Sequence, residues 1–400
     1  MHPSRCLPTT VPRAVPSFRS ASGAPAAKNA PPFEIDPDIR TASPPPSALY
    51  HRPAYFEHQT DTVFARSWHL VGDVRELKTT GSVQPFTLLE GCLDEPLFLI
   101  RDEEQALHCL SNVCTHRGNI LVEGEGHLPG TSIQCRYHGR RFGMDGCFLS
   151  MPGFEEAENF PSPADNLPAA ELETWGPFVF CALDPAMPFD DWIAPVRERV
   201  DWMALEALQF DAAGSHDYLV DANWALYCEN YLEGLHIPFV HRNTLGGALD
   251  RDAYTTTPFD YASLQLGVGT SGEHTFDLPE DHPDAGTDVA AFYFWLFPNL
   301  MLNFYPWGLS VNIVRPLGPT RTKVSFRYFV ADESKRDAGA GAGLDTVELE
   351  DEEIVEQVQR GVESRLYDRG RYSPSGEVGT HHFHRLLASF MFGDASPVSS

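Results

Sequence analysis

The sequence has few basic residues, no long apolar run and little cysteine for its length. Its 400 residues carry 56 acids against 29 bases, a formal charge of −27. That balance argues against a nucleic-acid partner, because phosphate recognition requires a basic face. No run of about 18 apolar residues exists, which argues against a membrane span. The hydrophobic fraction is 42%, so a chain of this length can still bury large cores.

The eight cysteines are scattered along the chain rather than crowded into a small domain. This spacing does not indicate a disulfide scaffold, and we expect a reducing, cytoplasmic compartment. Residues 1–46 are rich in Pro, Ser and Ala, and the first 33 carry four bases but no acid. They are predicted to be a disordered tail or a wrongly assigned start, with an organelle transit peptide as the alternative.

Short apolar runs separated by turn residues follow a helix predicted from Ala48 to Trp68. Gly81 and Gly91 break these runs, which is typical of a small antiparallel β domain. A second region is rich in aromatic strands at residues 292–319 and in helical patterns at residues 223–236 and 345–365. We therefore expect a domain over residues 47–170 and a second, α+β domain over residues 171–400.

Two loops of the first domain carry cysteine and histidine at metal-ligand spacing. CTHRG supplies Cys114 and His116, and CRYHG supplies Cys135 and His138. Two thiolates and two imidazoles suit either zinc or an iron–sulfur cluster. A zinc finger usually groups its cysteines first, whereas here each loop gives one of each. Tyr137, between the second pair, is a candidate hydrogen-bond donor to a cysteine sulfur.

The segment CTHRG…CRYHGRRF resembles the Rieske [2Fe–2S] motif. The resemblance implies that Cys114 and Cys135 bind one iron, and that His116 and His138 bind the other. It also implies that the N-terminal domain is an all-β Rieske domain.

The stretch ENYLEGLHIPFVH, residues 229–241, places Glu233, His236 and His241 within nine positions. A helix over residues 223–236 would put Glu233 and His236 on one face. Pro238 disfavours helix at Ile237, so the chain is expected to turn and bring His241 back. Two histidines and a carboxylate on one face, with open positions for O2, are the ligands of many oxygen-activating Fe(II) sites.

A third ligand is expected from the helix predicted over residues 345–365. Its apolar stripe contains Val347, Ile354, Val355, Val358 and Val362. Asp351 falls inside this stripe, where a carboxylate is costly unless it is paired or metal-bound. Glu350 is the alternative ligand. The other acids of the helix, Glu348, Glu352, Glu353 and Glu356, are predicted to form a solvated face.

Both segments resemble those of the Rieske non-haem iron oxygenases. The resemblance covers most of residues 50–395. The resemblance implies that His236, His241 and Asp351 bind the catalytic iron, with Asn230 close by. It implies that Glu233 bridges to a Rieske histidine of a neighbouring subunit in a homotrimer. It also implies a helix-grip (START/Bet v 1-like) catalytic domain with a curved antiparallel sheet. The histidines His381, His382 and His384 are predicted to lie on a packed C-terminal helix.

The resemblance implies the oxygenase component of a monooxygenase or dioxygenase, which takes electrons from a separate reductase or ferredoxin. Glu233, the NYLEGLH spacing and the segment EDEEIVEQVQRGVESRLYDRGRYSP are similar to the branch that acts on choline, betaine or carnitine. The aromatic residues of 292–307 offer faces for a quaternary ammonium group. The alternatives are an aromatic-ring hydroxylating dioxygenase or demethylase and, outside enzymes, a non-catalytic Rieske electron carrier.

Overall fold

The computed structural model describes residues 30–241, 255–336 and 344–398. These residues form two compact units. The first unit runs from Trp68 to Pro185, and the second combines the residues up to Ser67 with those from Ala186 onward. In the described part of the chain, no helix is long and apolar enough to cross a membrane.

The first unit is built from ten short strands in three antiparallel sheets. The sheet orders are β4-β3-β2-β5, β6-β7-β8 and β1-β10-β9. Gly81 and Gly91 adopt positive φ values of 82° and 80°, a conformation that glycine reaches without steric cost. The prediction of an all-β N-terminal domain is confirmed. The strands are β1 His69–Asp73, β2 Ser82–Leu88, β3 Glu95–Arg101, β4 Leu107–Ser111, β5 Gly126–His127, β6 Ser132–Gln134, β7 Arg141–Gly143, β8 Phe148–Ser150, β9 Glu171–Trp175 and β10 Phe178–Ala182.

The hydrophobic core of this unit reaches the two cysteines of the predicted cluster. Phe98, Ile133 and Phe142 are almost fully buried in it, and they pack in one cluster with Cys114 and Cys135. The packed core therefore anchors both cysteine-bearing loops.

The second unit is an α+β structure around one seven-stranded antiparallel sheet, with strand order β11-β17-β16-β15-β14-β13-β12. The predicted fold class is confirmed. The strands are β11 Gln209–Val220, β12 Thr255–Pro258, β13 Ala262–Val268, β14 Val289–Leu296, β15 Leu300–Tyr305, β16 Gly308–Gly318 and β17 Arg321–Val330. The helices are α1 Pro53–Thr62, α2 Phe189–Val200, α3 Trp224–Tyr231, α4 Ile237–Val240, α5 Leu344–Val362 and α6 Val378–Phe392.

Aromatic side chains join the central strands of this sheet to the helices. The Trp192 indole of α2 donates a hydrogen bond of 2.7 Å to the Phe297 carbonyl. The ring of Trp295 on β14 meets Phe383 of α6 edge-on, with centroids 5.2 Å apart. Burial of such large rings stabilises the sheet–helix interface by roughly 2–3 kcal/mol per side chain.

The expectation of a disordered tail is wrong for residues 30–46. Phe33 is buried and its ring meets Phe392 at 5.2 Å, and the Asp36 carbonyl lies 2.8 Å from Nε2 of His381. The apolar side chains of Phe33 and Ile35 give this proline-rich segment a surface to bury. Residues 1–29 lie outside the described residues.

The first predicted helix differs from the structure in its bounds. The helix expected from Ala48 to Trp68 is an α-helix only over Pro53–Thr62, flanked by 3-10 turns at Ser47–Tyr50 and Phe64–Arg66. Pro53 occupies the first turn, where its missing N–H costs nothing.

The domain boundary expected at residue 171 differs from the division into units. β9 and β10 pair with each other, and β10 pairs with β1, so residues 171–185 group with the N-terminal unit. The helix α1 was expected within residues 47–170 but packed on the catalytic domain, and it groups with the second unit.

Candidate metal centres

The four predicted cluster ligands lie close together at two loop tips of the first unit. The imidazole rings of His116 and His138 have centroids 4.8 Å apart. The thiols of Cys114 and Cys135 are buried and within hydrogen-bond reach of each other. Burial raises the pKa of the Cys114 thiol, which opposes a free thiolate unless a metal stabilises it.

Both loops fold back tightly through a glycine. Gly118 N–H donates to the Cys114 carbonyl at 2.9 Å, and Gly139 N–H donates to the Cys135 carbonyl at 3.0 Å. The two glycines have φ values of 70° and 74°, which a side chain would strain. The repeated geometry presents one cysteine and one histidine from each loop toward the same point.

The histidine nitrogens test whether this donor set fits a metal cluster. Nδ1 of His116 and Nδ1 of His138 are both buried and have no hydrogen-bond partner among the described residues. Buried polar atoms without a partner are rare and costly. Two such lone pairs beside two buried thiols fit a [2Fe–2S] cluster with two sulfur and two nitrogen ligands.

Arg140 supports the loop of Cys135 and His138 through a buried side chain. Its side chain is buried, and its Nη2 lies 2.7 Å from Oδ1 of Asp165. The guanidinium also lies over the Phe148 ring, 4.8 Å from its centroid. Arg140 was not singled out in the sequence, although it directly follows the CRYHG loop.

Tyr137 does not have the expected contact with a cysteine sulfur. Its side chain is exposed by 56%, and its ring stacks on His138 with centroids 3.7 Å apart. Since Tyr137 points outward between two ligand positions, it covers the imidazole of His138 rather than the sulfur side.

The helix predicted over residues 223–236 ends earlier, at Tyr231. The carboxylate of Glu233 accepts the backbone N–H groups of Leu235 and His236, which closes a turn. A new short helix, α4, then begins at Ile237 with Pro238 in its first turn. The expectation that Pro238 would exclude helix at Ile237 is wrong, because the first turn of a helix needs no N–H from proline.

This turn brings the predicted ligands together with Asp351 of α5. Oδ1 of Asp351 lies 3.0 Å from Nε2 of His241 and 3.6 Å from Nε2 of His236. One donor atom from each of the three residues lies within 4.8 Å of the others. His241 and Asp351 are 110 positions apart in sequence, so tertiary packing alone brings them together.

A carboxylate backs each imidazole from its other side. Nδ1 of His236 lies 2.6 Å from Glu233, and Nδ1 of His241 lies 2.8 Å from Glu350. A carboxylate can only accept, so each Nδ1–H donates, and each ring, when it is neutral, has its lone pair on Nε2. Metal-bound histidines typically have such a partner.

Three potential donor atoms, Nε2 of both imidazoles and Oδ1 of Asp351, therefore converge on one point. Burial lowers the pKa of His241, but its hydrogen bonds to Asp351 and Glu350 outweigh burial and raise that pKa to about 9. The local field thus strongly favours a positive charge at this point. The donor set of two imidazoles and one carboxylate fits Fe(II).

Asn230 contacts Asp351, and Glu350 contacts the opposite side of the His241 ring. Nδ2 of Asn230 donates to Oδ1 of Asp351 at 3.2 Å. Glu350, the alternative ligand, contacts Nδ1 of His241 instead of the convergence point. The geometry therefore distinguishes the roles of the two adjacent acids.

Two acids of α5 that were predicted to be solvated, Glu348 and Glu352, are partly buried. Glu348 is half-buried and accepts the Tyr227 hydroxyl at 2.6 Å. Burial raises the pKa of Glu352 to about 7. Val358, predicted to lie in the apolar stripe, is 42% exposed, and Gln359 is buried beside it. Gln359 is buried in place of Val358 because its side-chain oxygen accepts the backbone N–H of Asn223.

The three C-terminal histidines are buried on α6, as the packed helix predicted. The Tyr372 hydroxyl lies 2.7 Å from Nδ1 of His384, and Nε2 of His384 lies 3.0 Å from Glu229. Among the described residues, His236, His241 and Asp351 form the group of three His, Cys, Asp or Glu side chains that could hold a metal. That group does not include the C-terminal histidines.

Comparison with protein families gives two matches. Residues 67–161 match the Rieske [2Fe-2S] domain, and residues 205–393 match the ring hydroxylating alpha subunit (catalytic domain). The two matched segments contain all of the ligand positions considered above.

Similar proteins of named activity match nearly the whole chain. It is 33% identical over 379 residues to the chloroplastic choline monooxygenase of Arabidopsis thaliana, covering 88% of this chain and 85% of that protein. It is 31% identical to the carnitine monooxygenase oxygenase subunit of Escherichia coli (strain K12), covering 86% and 92%. The structure of the quaternary ammonium Rieske monooxygenase CntA with L-carnitine has a TM-score of 0.70 at 23% identity, covering 90% of this chain and 99% of that one.

Proposed function

This chain belongs to the Rieske non-haem iron oxygenases, and we propose that it is the oxygenase component of a monooxygenase acting on a quaternary ammonium compound. Choline, betaine and carnitine are the candidate substrates. The observation that carries this proposal is the match, over nearly the full length, to a choline monooxygenase and a carnitine monooxygenase subunit.

The enzyme uses a Rieske [2Fe–2S] cluster and a mononuclear iron. When bound, these groups supply the one-electron steps by which O2, two electrons and two protons convert a C–H bond to C–OH with release of water. We assign the cluster to Cys114, Cys135, His116 and His138, and the mononuclear iron to His236, His241 and Asp351. The unpartnered Nδ1 atoms and the converging Nε2 and carboxylate atoms support these assignments.

The chain's own residues orient the ligands before any substrate arrives. Glu233 and Glu350 fix the tautomer and direction of the two imidazoles by accepting their Nδ1–H groups. Asn230 restrains the Asp351 carboxylate. Such preorganisation would leave open positions for oxygen on an iron held by these three residues.

The reaction needs electrons from a partner, which we assign to a separate NAD(P)H-dependent reductase or ferredoxin. We further propose a homotrimer in which electrons pass between subunits, with Glu233 as the bridge to a Rieske histidine of the neighbour. One CntA structure is described as revealing inter-subunit electron transfer. Glu233 supports this role because its carboxylate already contacts His236.

A substrate screen under reductase supply tests the proposal. Choline, glycine betaine, carnitine and simple aromatic acids would be compared by product analysis and by coupling of NADH oxidation to product. Hydroxylation or demethylation of one quaternary ammonium compound, tightly coupled to NADH, is the expected result. Turnover of aromatic acids alone would instead support an aromatic-ring oxygenase.

A non-catalytic electron carrier needs only the cluster. Iron analysis separates the two functions, because the oxygenase binds about three irons per chain and the carrier about two. The second metal group at His236, His241 and Asp351 supports the oxygenase.

A further inference from the structure

The C-terminal helix α6 and the residues just before it contact the turn between α3 and α4. A Cβ added at Gly379 would stand 2.6 Å from the carbonyl oxygen of Leu232. A Cβ added at Gly376 would stand 2.6 Å from the side chain of Leu235. Carbon contacts ordinarily lie at about 3.5–4.0 Å. Glycine at these two positions therefore lets α6 pack closely against residues 232–235.

A second contact between α6 and α3 is a buried pair of polar side chains. Nε2 of His384 on α6 lies 3.0 Å from Oε1 of Glu229 on α3. The His384 side chain is fully buried, and its Nδ1 lies 2.7 Å from the Tyr372 hydroxyl. A carboxylate only accepts, so Nε2 faces it with a proton, while the hydroxyl partners Nδ1. The two partners together fix the orientation of the imidazole ring.

Glu229 is adjacent to Asn230 in α3, and the two side chains reach different helices. Successive residues of an α-helix lie about 100° apart around its axis. Glu229 reaches His384 of α6, whereas the Asn230 amide donates to Oδ1 of Asp351 on α5 at 3.2 Å. A rotation or shift of α3 that broke the first contact would displace the second as well, because a helix moves as a rigid element.

A buried pair of this kind contributes little net stability, because both groups lose their water. It does fix one arrangement of the helices that carry it, since any other arrangement leaves both groups buried without a partner. We propose that Glu229 and His384 are positioning residues that set the register of α3 and, through Asn230, hold the Asp351 carboxylate at the mononuclear iron. This inference rests on the proposed function, because it requires Asp351 to be an iron ligand.

Iron affinity and electron paramagnetic resonance test this without turnover. Anaerobic titration with Fe(II) measures the affinity of the mononuclear site, and the spectrum of its nitric oxide adduct reports the ligand geometry, in protein whose Rieske cluster is intact. The variants are His384→Leu, which removes the donor, and His384→Gln, whose amide N–H can replace Nε2–H. Asp284→Asn is the matched control, since it disrupts another largely buried pair of the same unit, Arg199–Asp284 at 2.9 Å.

His384→Leu should weaken Fe(II) binding by about 10-fold, the lower end of the cost of altering a ligand's hydrogen-bond partner, and should change the resonance spectrum. His384→Gln should restore most of the affinity. Asp284→Asn should lower the temperature of thermal unfolding as His384→Leu does, because each change leaves a buried group without its partner. It should leave the iron affinity and the spectrum unchanged.

A double-mutant cycle tests whether the effect passes through Asn230. Combining His384→Leu with Asn230→Ala should weaken Fe(II) binding no further than the stronger single change. Glu229→Gln, which keeps the size of the side chain and removes its charge, takes the place of His384→Leu if the latter does not fold.

Three results would overturn the positioning role: fully additive losses in the cycle, an unchanged iron affinity in His384→Leu, or an equal loss of affinity in Asp284→Asn. Wild-type protein that binds no iron beyond its cluster would be a different result. It would overturn the proposed function, and this inference with it.

Discussion

The two proposed metal centres differ in how far apart their ligand residues lie along the sequence. The cluster ligands come from two loops, 114–118 and 135–139, that share one fold-back geometry at a glycine. The proposed mononuclear ligands come from the two ends of α4 and from α5, with 110 positions between His241 and Asp351. The first centre depends on local loop geometry, and the second depends on the packing of helices against each other.

The difference extends to how each centre is stabilised. Cys114 and Cys135 belong to the hydrophobic core of their unit, so packing fixes their positions. Around the triad, hydrogen bonds from side chains take over: Glu233 and Glu350 hold the imidazoles, and Asn230 holds Asp351. A polar network of this kind is sensitive to single substitutions, because each loss leaves a partner unsatisfied.

The largest expected effect comes from removing the distant ligand. Asp351→Ala should lower turnover by more than about 100-fold, since even partners outside the coordination sphere cost about 10–100-fold. The Rieske visible spectrum should stay intact, because the cluster ligands lie in the other unit. Iron analysis should give about two irons per chain instead of about three. Retained product formation would remove Asp351 from the ligand set.

The reciprocal change tests the independence of the two centres. Cys135→Ser should abolish Rieske absorbance and reductase-driven turnover, because a [2Fe–2S] cluster needs both thiolates. The triad should still bind about one iron per chain. Loss of that iron as well would contradict the separate construction of the two centres.

A smaller effect is expected at the carboxylate proposed to join them. Glu233→Gln should keep both metals and slow electron arrival at the mononuclear site by about 10–100-fold, the usual cost of altering a ligand's hydrogen-bond partner. Single-turnover kinetics of the pre-reduced protein measure this step directly. A wild-type rate would exclude the bridging role, whereas loss of mononuclear iron would point to ligand orientation as its main function.

The last prediction concerns stability rather than turnover, at the support of the cluster loop. Asp165→Asn should destabilise the N-terminal unit by roughly 2–4 kcal/mol, because it leaves the buried Arg140 without its charged partner. Glu123→Gln is the control in the same unit, since the Glu123–Arg136 pair is exposed on both sides and should be worth about 0–1 kcal/mol. Thermal unfolding followed by Rieske absorbance measures both. Equal effects would show that burial of Arg140 contributes nothing.

The sequence predicted the first centre more completely than the second. Cysteine and histidine at short, repeated spacing directly indicate a metal site, and the short strands around it follow from short apolar runs and glycine breaks. Asp351 was recognisable because a carboxylate in an apolar stripe needs a reason. The early end of α3 was not, since the Glu233 side chain stops the helix by accepting backbone N–H groups.

The supporting carboxylates were hidden for a related reason. Spacing alone assigns Glu348 to a solvated face and makes Glu350 an alternative ligand rather than a support of His241. Their burial depends on Nδ1 of His241 and on Tyr227, which α3 and the following turn bring across. Such roles follow from tertiary contacts and carry no local signal. The same holds for residues 30–46, whose order depends on contacts with α1 and α6.

The most direct test of the account is iron-edge anomalous scattering from crystals of the iron-loaded protein. The account predicts one anomalous site within bonding distance of Nε2 of His236, Nε2 of His241 and a carboxylate oxygen of Asp351. It predicts a second, two-iron site at Cys114, Cys135 and Nδ1 of both His116 and His138. Iron bound through Glu350 in place of Asp351, or iron at the cluster alone, would contradict it.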